Sequence, residues 1–307
     1  MMNSSIRLID SHNIDENKWV RMLSKTTPLH SQYCEYWYIN SVCKKWKAYV
    51  KGDYESGFPF AINTKTGFEV IYQPFFTRQF PFLGSHDGQF ISEVFSMIKK
   101  DFRWIRINLP FSFNELTLDT TLLNFQSLNL SFDYSAIYNN YSSNAKRILK
   151  KTEGLKLVKS NHVDDFIFLF EKEVGSKIGL VDENYRSLNS LITNGISNDK
   201  IQLFSINKNE IVLGFVCLYF HKNIINYLKG TLTTEGKKVG GMYFAFDQII
   251  RQFAAKDCIF DFGGSNVKGI ASFYEKFGAK NLTYYSHEYN QLPKLINKLK
   301  KIKDKLL

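Results

Sequence analysis

Residues 233–254 read TTEGKKVGGMYFAFDQIIRQFA. An apolar strand runs into this stretch, and Gly236, Lys237, Lys238, Val239, Gly240 and Gly241 form a predicted glycine-rich loop. Phe244, Ile249, Ile250 and Phe253 then recur at helical spacing, so a long helix is expected from about Gly241 to Ala255. Glycines let backbone N–H groups approach a ligand closely, and the start of a helix carries partial positive charge. A loop so placed suits a pyrophosphate, and Lys237 and Lys238 add full charges. Glycines are also ordinary turn formers, so the order strand, loop, helix carries the reading rather than the glycines alone.

Working outward, the second half of the chain reads as β-α-α-β-β-β-α-β-α-β. Strands are expected at Leu155–Val158, Ile201–Ile206, Ile211–Phe220, Ile224–Thr233, Cys258–Phe262 and Leu282–Glu288. Helices are expected from Val163, over Glu183–Ile196, over the long segment just described, and over Gly269–Phe277. The first half repeats most of this order with little residue identity: a strand at Ile6–Ile9, helices at Asp15–Lys25 and Ser31–Val42, strands at Trp46–Lys51, Phe58–Asn63 and Phe68–Gln73, a helix at Gln89–Lys100 and a strand at Trp104–Asn108. The fold class is therefore α/β in the broad sense (α+β), with two tandem domains, residues 1–140 and 141–307, each a mixed and mostly antiparallel sheet flanked by helices. Ser143, Ala145, Ile148 and Leu149 read as a capped connecting helix at the join.

With 307 residues, 44% hydrophobic and 22% charged, the chain has material for two cores and is not a disordered or collagen-like sequence. No apolar run is long enough to cross a membrane, and the start lacks the apolar core of a secretory signal, so a cytoplasmic protein is expected. The net charge of +11 concentrates in two places. Lys146, Arg147, Lys150, Lys151, Lys156 and Lys159 outweigh Glu153, and Lys294, Lys298, Lys300, Lys301, Lys303 and Lys305 outweigh Asp304. Such clusters favour phosphate-bearing partners: a nucleotide, a tRNA or, peripherally, an anionic membrane face. The alternative is a solvated helix surface, and in the tail Leu295, Ile296, Leu299, Ile302 and Leu306 would dock such a helix on the protein. Cys34, Cys43, Cys217 and Cys258 are scattered without a CxxC pair, and the six histidines show no ligand spacing, so no metal is expected.

A second motif, IFDFGGSNVKGIASFYEKFGAK, spans residues 259–280. A buried strand enters a polar glycine turn that includes Asn266, and a helix carries Tyr274 one turn before Gly278. A phenol titrates somewhat above a thiol, so Tyr274 could protonate a departing thiolate and recover its proton from solvent. A core aromatic whose hydroxyl finds a backbone acceptor is the other reading.

FYEKFGA resembles the closing motif of GNAT acyltransferases, LYEKxGF, in which the tyrosine is often the general acid. Residues 236–241 resemble that superfamily's acyl-CoA pyrophosphate loop, its pattern reduced to Lys237-Lys238-Val239-Gly240-Gly241. SSNAKRILKKTEGLKLV (142–158), YLKGTLTTEGKK and FDFGGSNVKG are similar to segments of the FemABX group, which is built from two GNAT-like halves. The resemblance implies an N-acyltransferase. It implies that a small-molecule acyl donor, acyl-CoA as cosubstrate, would lie in a V-shaped opening between two central strands and that an amine acceptor would attack the thioester directly. It further implies a carbonyl-polarising N–H near Thr231 to Thr233, donor contacts along Gly236–Gly241 and at Asn266, and an acceptor side in the first domain, where Tyr72, Gln73 and Arg78 are substrate candidates. Glu235, Asp261 and His287 are candidate bases. Two alternatives stay open: an aminoacyl-tRNA-dependent transferase acting on a peptidoglycan precursor, and a noncatalytic binding protein that retains the fold.

Overall fold

A computed structural model describes residues 5–65, 67–113, 119–264 and 267–292. Internal contacts separate two units, residues 1–122 with 284–307 and residues 123–283. These units differ in their bounds from the domains 1–140 and 141–307 expected from the repeat. The chain enters the second unit partway along a strand, and its last described strand carries it back to the first. The physical reason is strand pairing, which the local pattern around the connecting helix does not report.

The first unit holds β1 (Ile6–Asp10), α1 (Glu16–Ser24), α2 (Pro28–Ser31), α3 (Tyr36–Val42), β2 (Trp46–Lys51), β3 (Ser56–Lys65), β4 (Phe68–Tyr72), β5 (Leu83–Gly84), α4 (Gly88–Asp101) and β6 (Trp104–Leu109). Strands β1 to β4 pair antiparallel in sequence order, and β4 pairs parallel with β6. Asp15 and Asp87 cap α1 and α4 through their carboxylates, which accept from Lys18 N and Phe90 N. The helix expected over 31–42 is instead two short helices joined by a 3-10 turn. Pro28 starts α2 at its first position, and Glu35 in extended backbone ends the turn and restarts the chain as α3. Trp19, Trp46, Phe58, Phe60, Phe82 and Phe95 are fully buried, and the Phe58 and Phe82 rings stack with centroids 4.4 Å apart.

Next come β7 (Asp119–Asn129), α5 (Tyr134–Asn139), α6 (Ser143–Leu149), β8 (Leu155–Ser160), α7 (Val163–Glu173), α8 (Asp182–Ser197), β9 (Ile201–Lys208), β10 (Ile211–His221), β11 (Ile224–Leu232), α9 (Thr234–Lys238), α10 (Gly241–Phe253), β12 (Ile259–Gly264), α11 (Lys268–Glu275) and β13 (Lys280–Asn290). In the second unit β8 to β11 pair antiparallel in order, β11 pairs parallel with β12, and β12 pairs antiparallel with the end of β7. The later part of β13 belongs to the first unit, where Tyr285 to Asn290 pair antiparallel with Leu109 to Trp104 of β6.

The second unit's sheet is covered on both faces, so its central strands are apolar on both sides. Val216, Leu218 and Leu232 join Phe246, Ile249 and Ile250 of α10 in one core cluster with Phe260, Phe262 and Phe277. On the opposite face Phe215 meets Phe166 of α7, with ring centroids 6.1 Å apart. Thr231 also lies on that face, its hydroxyl donating to Leu169 O of α7 at 3.3 Å. Among the described residues no helix is long and apolar enough to cross a membrane. The basic tail helix expected over 294–305 lies outside the described residues.

Candidate active site

The centre of the second unit is a fork in its sheet. β11 and β12 are in register only from Ile224–Ile259 to Asn226–Asp261. Beyond that point two local features drive them apart. In β11 the pairing with β10 slips by one residue at Leu228, a bulge that bends the strand. In β12 the Asp261 side chain accepts the Gly263 N–H at 2.9 Å, and Gly263 adopts φ +79°, closing a local turn that also breaks the register with β7. Past that point no ladder pairing joins Tyr227–Leu232 to Phe262–Gly264, and it is there that the GNAT resemblance implies a V-shaped opening.

Ladder geometry identifies which amides face that opening. Thr233 N donates to Leu213 O of β10 at 2.9 Å. N–H groups alternate in direction along an antiparallel strand, so those of Thr231 and Lys229 point the same way, toward β10, and those of Leu232 and Gly230 point into the fork. Gly230 N–H and Leu232 N–H, the latter within the stretch Thr231 to Thr233, are thus the amides turned away from β10. Thr231 and Thr233 are occupied otherwise: Thr233 Oγ1 donates to Leu213 O at 3.1 Å and accepts Gly236 N at 3.0 Å.

That last bond makes Thr233 the cap of α9, so the predicted loop over 236–241 is a short helix followed by a single left-handed residue. Val239 ends α9, and Gly240 at φ +75° starts α10. Glycine is required here for space as much as for torsion. A Cβ on Gly236 would lie 2.3 Å from Leu213 O, and one on Gly240 would lie 2.6 Å from Ile148 Cγ2. No side chain caps α10, and its first backbone bond runs from Phe244 N to Gly240 O at 3.1 Å. The N–H groups of Gly241, Met242 and Tyr243 are left without intrahelical acceptors. Both lysines are drawn into ion pairs, Lys237 with Glu173 of α7 and Lys238 with Glu235 at 3.8 Å. The hydrogen bond from Lys237 holds the Glu173 carboxyl below the usual glutamate range. The positive character of the junction therefore comes from the amides of α10.

Tyr274 of α11 is nearly buried and stacks on Phe262, with ring centroids 5.0 Å apart and planes 27° apart, and Tyr227 lies edge-on to it at 6.3 Å. Burial, and next the Asp261 charge, push its phenol well above the ordinary tyrosine value. It therefore stays protonated near neutral pH, a hydrogen-bond donor that gives up its proton reluctantly: transfer is uphill by about 1.4 kcal/mol for each unit by which a phenol's pKa exceeds that of the acceptor's conjugate acid. Asn266 lies outside the described residues.

Sequence reasoning passed over Lys229 and Tyr227. The signal was present in YLKG, a lysine inside an otherwise apolar strand. Burial depresses the Lys229 ammonium and pushes the Tyr227 phenol up. Of the candidate bases, Asp261 is fully buried and bonded to Gly263 N, and Glu235 pairs with Lys238. His287 belongs to the first unit, buried with its ring nitrogens 3.1 Å from Thr120 Oγ1 and 3.3 Å from Phe111 O.

The remaining candidates also lie in the first unit. Tyr72 ends β4, half-buried and paired with Ala61. Both ends of the Gln73 amide are engaged by backbone: Nε2 donates to Thr77 O at 3.0 Å and Oε1 accepts Asn108 N at 2.9 Å. Arg78 is buried, donates to Leu29 O at 3.3 Å and lies 5.4 Å from the Tyr33 ring centroid. Gln73 and Arg78 thus brace the turn after β4. Among the described residues no three His, Cys, Asp or Glu side chains are grouped to hold a metal ion.

No family model and no curated protein matches the sequence. Solved structures do match in fold. The chain superimposes on FemX with a TM-score of 0.65 at 10% identity, covering 93% of this chain and 98% of that one. The C-terminal domain of a putative lysylphosphatidylglycerol synthetase from Agrobacterium fabrum gives 0.55 at 12% identity, covering 90% and 92%. A tandem GNAT protein from the clavulanic acid biosynthesis pathway gives 0.54 at 8% identity, covering 92% and 98%. The chain has the tandem GNAT-like, FemABX-like fold. Likeness at these identities defines the fold and leaves activity to the site.

Proposed function

We propose that the chain is an N-acyltransferase that moves an acyl group from an acyl thioester, acyl-CoA in the simplest case, to an amine by direct attack. One observation carries the proposal: the β11–β12 pairing ends at Asn226 and Asp261, and beyond it ladder alternation turns the Gly230 and Leu232 N–H groups away from β10, toward the β12 side. Amides fixed in a sheet need no reorganisation when the carbonyl oxygen gains charge, which is the property an oxyanion site requires. The amine lone pair adds to the carbonyl carbon, the oxyanion rests on those amides, and collapse expels the thiolate toward Tyr274. The amine's surplus proton goes to solvent. The uncapped start of α10 would receive the donor's pyrophosphate.

A second reading is favoured by the higher fold likeness to FemX and by the exposed lysines Lys150, Lys151, Lys156 and Lys159: transfer from an aminoacyl-tRNA to a peptidoglycan precursor. The same amides would hold the aminoacyl ester carbonyl. Native mass spectrometry against a panel of acyl-CoAs and charged tRNAs separates the two. Saturable acyl-CoA binding supports the first reading and tRNA binding with steep salt dependence supports the second. Binding of neither class leaves a fold without a donor.

A further inference from the structure

A cavity of about 360 Å³ lies between α5, α6 and the outer face of α10. We propose that it binds a nucleoside phosphate. Its volume is that of a small-ligand pocket, a class that spans roughly 300–1,000 Å³. Three aromatic rings, Tyr134, Tyr138 and Phe244, line it, and Lys150, Gln248 and Arg251 bring polar and cationic groups to it. Flat rings beside guanidinium and ammonium groups are the combination that takes a nucleobase by stacking and its phosphate by charge.

The rings are held in place. The Arg251 guanidinium lies 4.0 Å from the centroid of the Tyr134 ring and donates to its hydroxyl at 3.0 Å, while that hydroxyl donates to Asp247 Oδ1 at 2.7 Å. Lys146 Nζ lies 5.3 Å from the Tyr138 centroid. Asp247 is buried at the floor, where burial raises its carboxyl against the pull of Tyr134 and Arg251. The buried Tyr141 phenol, pushed up by burial and next by the Asp247 charge, stands beside that carboxyl. A floor with one carboxylate already engaged by a phenol and an arginine is no metal site, and the cationic, tyrosine-walled mouth argues against an apolar ligand.

Thr152, another lining residue, would lie 3.5 Å from a Cβ on Gly240. The cavity therefore borders the start of α10, where the proposed donor's phosphates would lie. In that respect the inference rests on the acyl-transfer reading: both donor classes carry nucleoside phosphates, and the cavity would anchor that end of the donor.

The test is titration calorimetry at low and moderate salt with three probes: adenosine 3′,5′-bisphosphate, an RNA hairpin ending in CCA, and inorganic phosphate. Saturable binding of the bisphosphate or of the hairpin is expected, weakened at least about tenfold, roughly 1.4 kcal/mol, by both Gln248→Trp, which fills the cavity, and Lys150→Glu. Both positions are at least partly exposed, and unchanged circular dichroism will confirm that the variants fold. Preference for the bisphosphate assigns coenzyme A as the source, and preference for the hairpin assigns RNA. The proposal is overturned if neither nucleotide binds, if binding survives both substitutions, or if inorganic phosphate binds as tightly. Acetyl-CoA binding that is indifferent to Gln248→Trp would sink the cavity and spare the donor reading. Nucleotide binding without transfer from any acyl-CoA or charged tRNA would do the reverse.

Discussion

Replacing Gly240 by alanine tests the geometry that aims the first turn of α10. The left-handed conformation at φ +75° costs an L-residue roughly 1–2 kcal/mol. The new methyl would also stand 2.6 Å from Ile148 Cγ2, where ordinary contact is 3.4–4 Å. Overpacking of that kind costs about 1–3 kcal/mol, so Gly240→Ala should destabilise by about 2–5 kcal/mol in total. The second term depends on Ile148 and the first does not. Ile148→Ala alone, at a half-buried position, should cost about 1–2 kcal/mol, below the range for full burial. In Gly240→Ala/Ile148→Ala the clash disappears while the torsional cost remains. The double variant should therefore be more stable than the sum of the singles by about 1–3 kcal/mol. Urea unfolding of the four proteins of the cycle, followed by far-UV circular dichroism, measures this. The dichroism signal is needed because Trp19, Trp37, Trp46 and Trp104 all lie in the first unit, so tryptophan fluorescence would not report on this junction. Additivity within about 0.5 kcal/mol would refute the close approach of Gly240 to α6. Donor affinity should follow the same order: lost in Gly240→Ala and partly recovered in the double variant.

Tyr274→Phe should leave donor binding nearly unchanged and lower kcat by about 10²- to 10⁴-fold, the usual worth of a positioned acid; full activity at every pH would remove Tyr274 from the chemistry. Glu173→Gln releases Lys237 from its ion pair and should tighten binding of a phosphate-bearing donor by about two- to fivefold at low salt, with the gain fading as salt rises; an unchanged or weaker Kd would mean that Lys237 does not face the ligand. The same pair sets an acid limit: the Glu173 carboxyl is lowered, so its contribution to stability is present above pH about 4.5, the ordinary glutamate value, and is lost as pH falls below it. His287 behaves differently in origin and alike in direction. Burial depresses its pKa below 6.5, so the unfolded chain takes up the proton first, and stability should fall as pH drops below about 6.5. A His287→Gln variant whose unfolding midpoint keeps the full wild-type pH dependence between about 6.5 and 5 would contradict this.

The sequence alone determined the elements around the site, because each is specified by neighbours in the chain. The apolar run of β11, the helical periodicity from Phe244 to Phe253, and the buried strand leading into a glycine turn before Tyr274 are local patterns with local causes. The resemblance carried by FYEKFGA added the tandem GNAT-like fold, which the matching solved structures share. What required the tertiary structure is everything fixed by a partner far along the chain. The pairing of Tyr285–Asn290 with β6 moved the unit boundary away from 140/141, and no periodicity near the join encodes it. That the amides of Gly230 and Leu232, rather than those of Thr231 and Thr233, point away from β10 follows from which amide bonds Leu213 O, a matter of register. Lys237 adds a full charge to the loop by sequence, whereas Glu173, 64 residues away, holds it in an ion pair. The Arg251, Tyr134 and Asp247 cluster joins residues up to 117 positions apart. Short-range pattern specifies which backbone conformation a segment takes, whereas the direction in which its amides and charges point is decided only when strands and helices distant in sequence pack together.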